Sequence, residues 1–277
     1  MLTPTPALRL LPNCFRNARF IATDMDGTLT KRGKFSSRLL ETLETLATAQ
    51  WPVMIVTGRS AGWVNSVAHY LPIVGAIAEN GGIFYEPGGA SQLITSIPDL
   101  DLHREKLADT FGTIQTHYPR LMESDDNPFR LTDWTFDVGD LSPSDIDAIA
   151  QICQDEGWSF TYSTVQCHIK PIGQDKGTAV REAIARYFPQ YQDQDPVLKN
   201  IQGTVQDALA QVVTVGDSPN DVSLFNPDLF PCSVGVANVE EYRDRLQYFP
   251  CHLTSAREVE GFCELAHALL NELIEGV

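Results

Sequence analysis

Three short apolar runs end in polar signatures able to do chemistry. Phe20-Ile21-Ala22 leads into Thr23-Asp24-Met25-Asp26-Gly27-Thr28, residues 52–56 lead into Thr57-Gly58-Arg59, and residues 212–215 lead into Gly216-Asp217-Ser218-Pro219-Asn220-Asp221. In open α/β sheets, sites form at the carboxyl ends of the strands. Parallel packing of these runs would therefore gather Asp24, Asp26, Asp217 and Asp221 on one rim. Carboxylates so gathered repel one another and raise each other's pKa unless a cation neutralises them. An all-oxygen set with no His or Cys beside it selects a hard ion, Mg²⁺ first. Lys176, ahead of Gly177-Thr178, adds a cation. Singly, an aspartate at a strand end serves as readily as a helix N-cap, Thr57-Gly58 as a tight turn, and Lys176 as a solvated helix residue. The ordered combination points to a metal site.

The elements that must position these residues follow from the apolar pattern. Strands apolar on both faces alternate with amphipathic helices, which indicates a doubly wound, mainly parallel α/β sheet covered on both sides. Ser36 or Ser37 can cap a helix with Leu39, Leu40, Leu43 and Leu46 on one face, and another helix is expected over 60–70. Residues 73–78 form the next strand, ending in Glu79-Asn80-Gly81-Gly82. After Tyr85 the pattern changes, with Gly88-Gly89 as a turn. A helix over 101–118 carries Leu107, Phe111, Ile114 and Tyr118, and Ser142-Pro143 opens a second one. Trp134/Phe136/Val138, Trp158/Phe160/Tyr162 and Val165/Cys167/Ile169 alternate with polar residues, as one-faced strands do. This is a separate α+β unit whose polar face carries Ser159, Thr161, Gln166, His168 and Lys170; on its own pattern, that face looks at solvent. The expected division is a loose lead-in over 1–18 without regular structure, a core over 19–84 and 171–277, and an inserted unit over 85–170. A surface loop is expected over 189–207, and a closing helix over 258–274.

Composition bounds the functional classes. The 277 residues carry 20 Lys+Arg against 36 Asp+Glu, a net charge of −16. So acidic a chain repels nucleic acid and anionic membranes, and no apolar run is long enough to span a bilayer. No secretory signal is visible. Six cysteines, none in a CxxC pair, with Cys153, Cys167 and Cys263 among apolar residues, read as reduced core thiols and fit a cytoplasmic protein. No P-loop or GxGxxG supports a nucleotide fold.

Asp-x-Asp-Gly-Thr, Thr-Gly-Arg, Asp175-Lys176-Gly177 and Gly-Asp-x-x-Asn-Asp, in that order, resemble the haloacid dehalogenase superfamily of phosphatases. The inserted unit, preceded by Glu79-Asn80-Gly81-Gly82, resembles the branch with a C2-type cap, which includes sucrose-phosphate, mannosyl-3-phosphoglycerate and Cof-type sugar phosphatases. The resemblance covers about residues 19–275 and implies a Rossmann-like core. It implies Asp24 as nucleophile, forming an aspartyl phosphate, and Asp26 as the acid that protonates the leaving alcohol and then activates water. Asp26 must hold a proton for its first task, and would meet the metal through its backbone carbonyl. Mg²⁺ would lie on Asp24 and Asp217, with Asp221 as ligand or orienter. Thr57, Lys176, Gly58, Asn220 and the backbone around Met25 and Asp26 would bind the phosphoryl oxygens. The polar cap face would roof the site, with Arg59, Gln166, His168 and Lys170 as candidate substrate contacts. The implied activity is hydrolysis of a small phosphorylated metabolite, a sugar phosphate first. A sugar phosphomutase and a phosphate-accepting receiver-type module are the alternatives, although a receiver needs no roof.

Overall fold

A computed structural model describes residues 13–188 and 204–275. The expected lead-in over 1–12 and most of the 189–207 loop lie outside the described residues.

One large sheet, with the apolar runs inside it, holds β1 (Phe20–Thr23), β2 (Val53–Val56), β3 (Gly75–Ala78), β4 (Ile83–Tyr85), β5 (Ser91–Leu93), β9 (Val212–Gly216), β10 (Cys232–Gly235) and β11 (His252–Leu253). Their order is β11-β10-β9-β1-β2-β3-β4-β5. The six strands from β11 to β3 run parallel, β4 pairs antiparallel with β3, and β5 pairs antiparallel with β4. Period-two alternation splits each inner strand between two cores. Ile21, Val53 and Ile55 pack with α2 (Ser37–Thr48), α3 (Ala61–Tyr70) and α8 (Glu258–Glu275). Phe20, Ala22, Met54 and Val56 pack with α6 (Lys176–Tyr187) and α7 (Val205–Leu209) on the other face. Successive strands β1, β2 and β3 build outward on one side, and β9 then pairs with the other edge of β1. The order therefore reverses between β1 and β9, where the two aspartate signatures end.

The inserted unit is a three-stranded antiparallel sheet, β6 (Trp134–Asp137), β8 (Gln166–Lys170) and β7 (Ser159–Tyr162) in that order. Its apolar face packs on α4 (Leu100–His117) and α5 (Pro143–Asp155), burying Leu107, Ile114, Phe136, Ile149, Cys153 and Cys167. Ser142 caps α5 reciprocally with Asp145, with Pro143 in the first turn. No described helix is long and apolar enough to cross a membrane.

Four expectations need correction. A helical turn, α1 (Asn13–Arg16), forms inside the supposed lead-in, because Phe15 is buried against the core and meets the His252 ring at 5.1 Å. The change of pattern does not come at residue 85: Gly88 and Gly89, both at positive φ, close a hairpin that returns β5 to the large sheet. The insertion therefore begins after Leu93. Leu40 is exposed at 42%, since it lies off the stripe of Leu39, Leu43 and Leu46. The polar cap face does not look at solvent: Gln166, His168 and Lys170 are all buried beneath the cap, over the core.

Candidate active site

Asp24 leaves β1 with its amide donating to Val215 of β9 at 2.8 Å, so its place is set by the sheet at the point of reversal. Lys176 is the first residue of α6, whose N-cap Asp175 accepts from Thr178 N at 2.8 Å. That cap aims a fully buried ammonium at the strand ends. Its Nζ lies 2.6 Å from Asp24 Oδ1 and 2.6 Å from Asp221 Oδ1. The other oxygen of Asp221 accepts from the amides of Asp217 and Ser218 at 2.8 and 3.1 Å. Asp217 accepts from Asn238 Nδ2 at 2.7 Å and from Thr28 Oγ1 at 3.4 Å. Only glycine fits at position 27: its φ is +86°, and a Cβ there would stand 2.4 Å from Asp217 Oδ2.

Asp24, Asp217 and Asp221 each offer an oxygen within 4.8 Å of the others. Asp24 Oδ2 is buried without a hydrogen-bond partner, which is costly unless a cation takes it up. Burial, then repulsion from Asp221, raises Asp24 to about 7 despite the opposing pull of Lys176. Burial and the charges of Asp24 and Asp221 raise Asp217 well above the usual carboxylate range. Burial would lower Lys176, but Asp221 and Asp24 outweigh it and raise its pKa. An all-oxygen donor set with an unsatisfied buried oxygen and excess negative charge fits a hard divalent cation. Asp24, with a free oxygen, suits direct ligation, and so does Asp217, whose oxygens meet only the neutral donors Thr28 and Asn238; Asp221 holds the Lys176 ammonium and the 217–218 amides.

Above these carboxylates is a cleft of about 10 Å³, room for roughly one water, lined by Asp24, Asp26, Thr57, Gly58, Arg59 and His168, among others. Beyond Asp26 and Arg59 a larger cavity of about 360 Å³ runs past Thr164 and Val165 toward Asn238 and Tyr242. Thr57 Oγ1 accepts from Arg59 N at 3.2 Å. Both carboxylate oxygens of Asp26 accept from Arg59, at 2.8 and 2.6 Å. The side chain expected to donate a proton is therefore turned to a guanidinium.

The remaining sequence candidates divide. Met25 is buried in the core, leaving only its backbone for the site. Asn220 lines the cleft, but its amide is engaged, donating to Asn80 Oδ1 at 3.0 Å and accepting from Ser218 Oγ at 2.8 Å. Gln166 and His168 reach the cleft from β8. Lys170 does not line it; its Nζ donates to the Gln174 carbonyl and to Ser159 Oγ, beside the return to the core.

Several residues in or around the site escaped sequence reading. Asn238 follows the carboxyl end of β10, so the strand-end rule applied to that strand would have found it. Arg130 and Asp133 lie in the irregular segment before β6, where no periodicity marks them. Arg130 Nη1 donates to Asp133 at 2.9 Å and to the Gly58 carbonyl at 2.9 Å; Nη2 reaches Asp126 at 2.9 Å and Gln166 Oε1 at 3.1 Å. Asp133 meets His168 Nδ1 at 2.9 Å. Glu79, fully buried, accepts from the amides of Ala61 (2.8 Å), Leu131 (3.0 Å) and Thr132 (2.6 Å), joining core and cap.

The chain is similar to several known proteins. Residues 21–101 match the family of haloacid dehalogenase-like hydrolases. A phosphoglycolate phosphatase of Thermoplasma acidophilum is 24% identical over 209 residues, covering 75% of this chain and 80% of the relative. A crystal structure from the same organism superposes with a TM-score of 0.67 at 20% identity, over 91% of this chain and 98% of that one. The sucrose-phosphatase of Synechocystis, solved with sucrose and phosphate, gives a TM-score of 0.62 at 17% identity, over 91% and 98% of the two chains.

Proposed function

We propose, from the match to haloacid dehalogenase-like hydrolases and the similarity to phosphoglycolate phosphatases, that this chain is a Mg²⁺-dependent phosphomonoesterase acting on a small phosphorylated metabolite, a sugar phosphate first. The observation that carries this reading is Asp24 Oδ2: buried, unpartnered, and held beside Lys176 at the reversal of the sheet. Asp24 attacks phosphorus in line and takes the phosphoryl group as an aspartyl phosphate, dividing a slow hydrolysis into two easier steps. Thr57 Oγ1, the Gly58 amide, Lys176 and the amides after Asp24 hold the equatorial oxygens, where charge builds up. Bound on Asp24 and Asp217, Mg²⁺ would supply further neutralisation of the phosphoryl charge. Asp26 passes a proton to the leaving alkoxide and then takes one from the attacking water. For this it must exchange the fork of Arg59 for the leaving group.

A non-catalytic receiver does not account for the cap buried over the carboxylates. Phosphoglycolate is a second substrate reading, favoured by the name of the Thermoplasma relative; sugar phosphates are favoured by a cleft roofed by neutral polar groups and by the sucrose-bound neighbour. Phosphate release from sugar phosphates, glycosyl-phosphoglycerates, nucleotides and phosphoglycolate tests both. Release should require Mg²⁺, stop with EDTA, and fall by at least about 10³-fold in Asp24→Asn. Release that survives Asp24→Asn would remove the nucleophile assignment. Transfer of the phosphoryl group back to the sugar instead of to water would make the enzyme a mutase.

A further inference from the structure

We propose that His168 sets substrate choice: braced by Asp133 and Arg130, it turns the Nε2 edge of its ring toward a hydroxyl on the leaving group, favouring polyol and sugar phosphates over esters ending in a carboxylate. The proposal rests on the phosphatase reading and deepens it.

The brace comes first. His168 is 1% exposed, and its Nδ1 lies 2.9 Å from Asp133 Oδ2. Asp133 is itself fully buried, and Arg130 donates to both its oxygens, at 2.9 and 3.2 Å. Burial alone would raise Asp133, but Arg130 and His168 outweigh it and keep the carboxyl below its usual range. A carboxylate can only accept, so Nδ1 carries the ring proton toward it. Nε2 is left to face the other way. A Cβ on Gly58 would meet His168 Cε1 at 3.0 Å and Nε2 at 3.1 Å, and the ring lines the cleft with Asp24 and Thr57. Among the described residues Nε2 has no hydrogen-bond partner. Burial lowers the imidazole pKa, reinforced by Arg130 and Lys176 and opposed by Asp133. Nε2 therefore presents a lone pair, which accepts from a hydroxyl and repels a carboxylate.

The cations point the same way. Lys176 is committed to Asp24 and Asp221, and Arg59 to both oxygens of Asp26. Arg130 is spent on Asp126, Asp133, Gln166 and Gly58. In the adjoining cavity Arg257 is paired with Glu241. With the cleft closed as here, a second anion on the substrate would meet only Arg59, and that only once Arg59 gives up Asp26. A neutral, hydroxyl-bearing group finds the Nε2 acceptor, and the 360 Å³ cavity leaves room for the rest of a sugar.

The test is steady-state kinetics with Mg²⁺ on the best hydroxylated ester of the panel, on 2-phosphoglycolate, and on p-nitrophenyl phosphate, whose leaving group has no further hydroxyl. Wild type should prefer the hydroxylated ester to phosphoglycolate by at least about tenfold in kcat/KM. His168→Ala should shrink that preference about tenfold, mainly through KM, and lose correspondingly more on the hydroxylated ester than on p-nitrophenyl phosphate. His168→Gln, whose amide can present an acceptor near the Nε2 position, should recover most of the preference. If His168→Ala fails to fold by circular dichroism, His168→Phe fills the ring volume without a nitrogen and takes its place. A wild type that prefers phosphoglycolate, a ratio that the substitution leaves unmoved, or a Gln variant no better than Ala would overturn the proposal and leave the phosphatase standing. A wild type inactive on every ester, p-nitrophenyl phosphate included, would remove the phosphatase reading and the proposal together.

Discussion

A carboxylate buried beside two others stays ionised only with cations at hand, and around Asp24 the chain supplies one, Lys176. The imbalance has a measurable sign. Asp24 sits at 3.8 when unperturbed and at about 7 in the folded protein, so between those values the folded state holds a proton that the unfolded state has lost. Stability from this group therefore falls as pH rises from about 4 to about 7, the reverse of an aspartate held by a salt bridge. A divalent cation on Asp24 and Asp217 binds the ionised form and stabilises the folded state by mass action, more strongly as pH rises. Melting temperatures with EDTA and with millimolar Mg²⁺, at about pH 5.5 and about pH 7.5, should show a larger Mg²⁺ increment at the higher pH, reduced in Asp217→Asn. An equal increment at both values, or none, would count against these ligands. These residues were legible in the sequence because sites at the carboxyl ends of strands follow a rule of topology. The Asp26–Arg59 pairing was not, because which oxygen meets which guanidinium depends on side-chain rotamers that spacing does not encode.

At the scale of elements, Glu79 ties the N-terminus of α3 to the cap segment before β6. Its two oxygens take the amides of Ala61, Leu131 and Thr132 and the Thr132 hydroxyl at 2.8 Å, all in a buried place. Burial raises its pKa, helped by Asp133 and opposed by Arg130. Glu79→Ala would strand several buried donors at once, at about 1–3 kcal/mol for each one left unsatisfied. A chemical denaturation midpoint should fall by a total of about 3 kcal/mol or more in Glu79→Ala, and by clearly less in Glu79→Gln, whose amide oxygen still accepts. Equal losses in the two variants would show that charge, and not acceptance, is what the strap contributes. Glu79-Asn80-Gly81-Gly82 was visible as a turn at a strand end, yet nothing in it announces a partner 52 or 53 residues onward. Helix starts were easier, since Ser36, Ser142 and Asp175 cap the helices that follow them through local bonds. The β4–β5 hairpin was missed because its turn glycines mark a boundary equally well whether the chain returns to the sheet or leaves it.

At the scale of the whole molecule, charge and cap act on the same event, the arrival of an anion. The cleft over Asp24 has room for about one water, so it has to widen beneath the cap to take a phosphoryl group. The opened site is approached through the field of a chain with net charge −16, which opposes a phosphate ester. Screening weakens that field beyond about 10 Å at 0.1 M salt, while the contacts of Lys176 and the backbone amides act at under 3 Å and are scarcely touched. Added salt should therefore speed encounter without loosening the bound phosphate. With Mg²⁺ held constant, kcat/KM should rise by up to about threefold between low and physiological ionic strength and then level off, with kcat nearly flat. A steady fall in kcat/KM would mean that a local positive field around the open cleft dominates the approach. Such a field would have to come from Arg59 as it gives up Asp26, and from Arg130 as the lifting cap frees it from the Gly58 carbonyl.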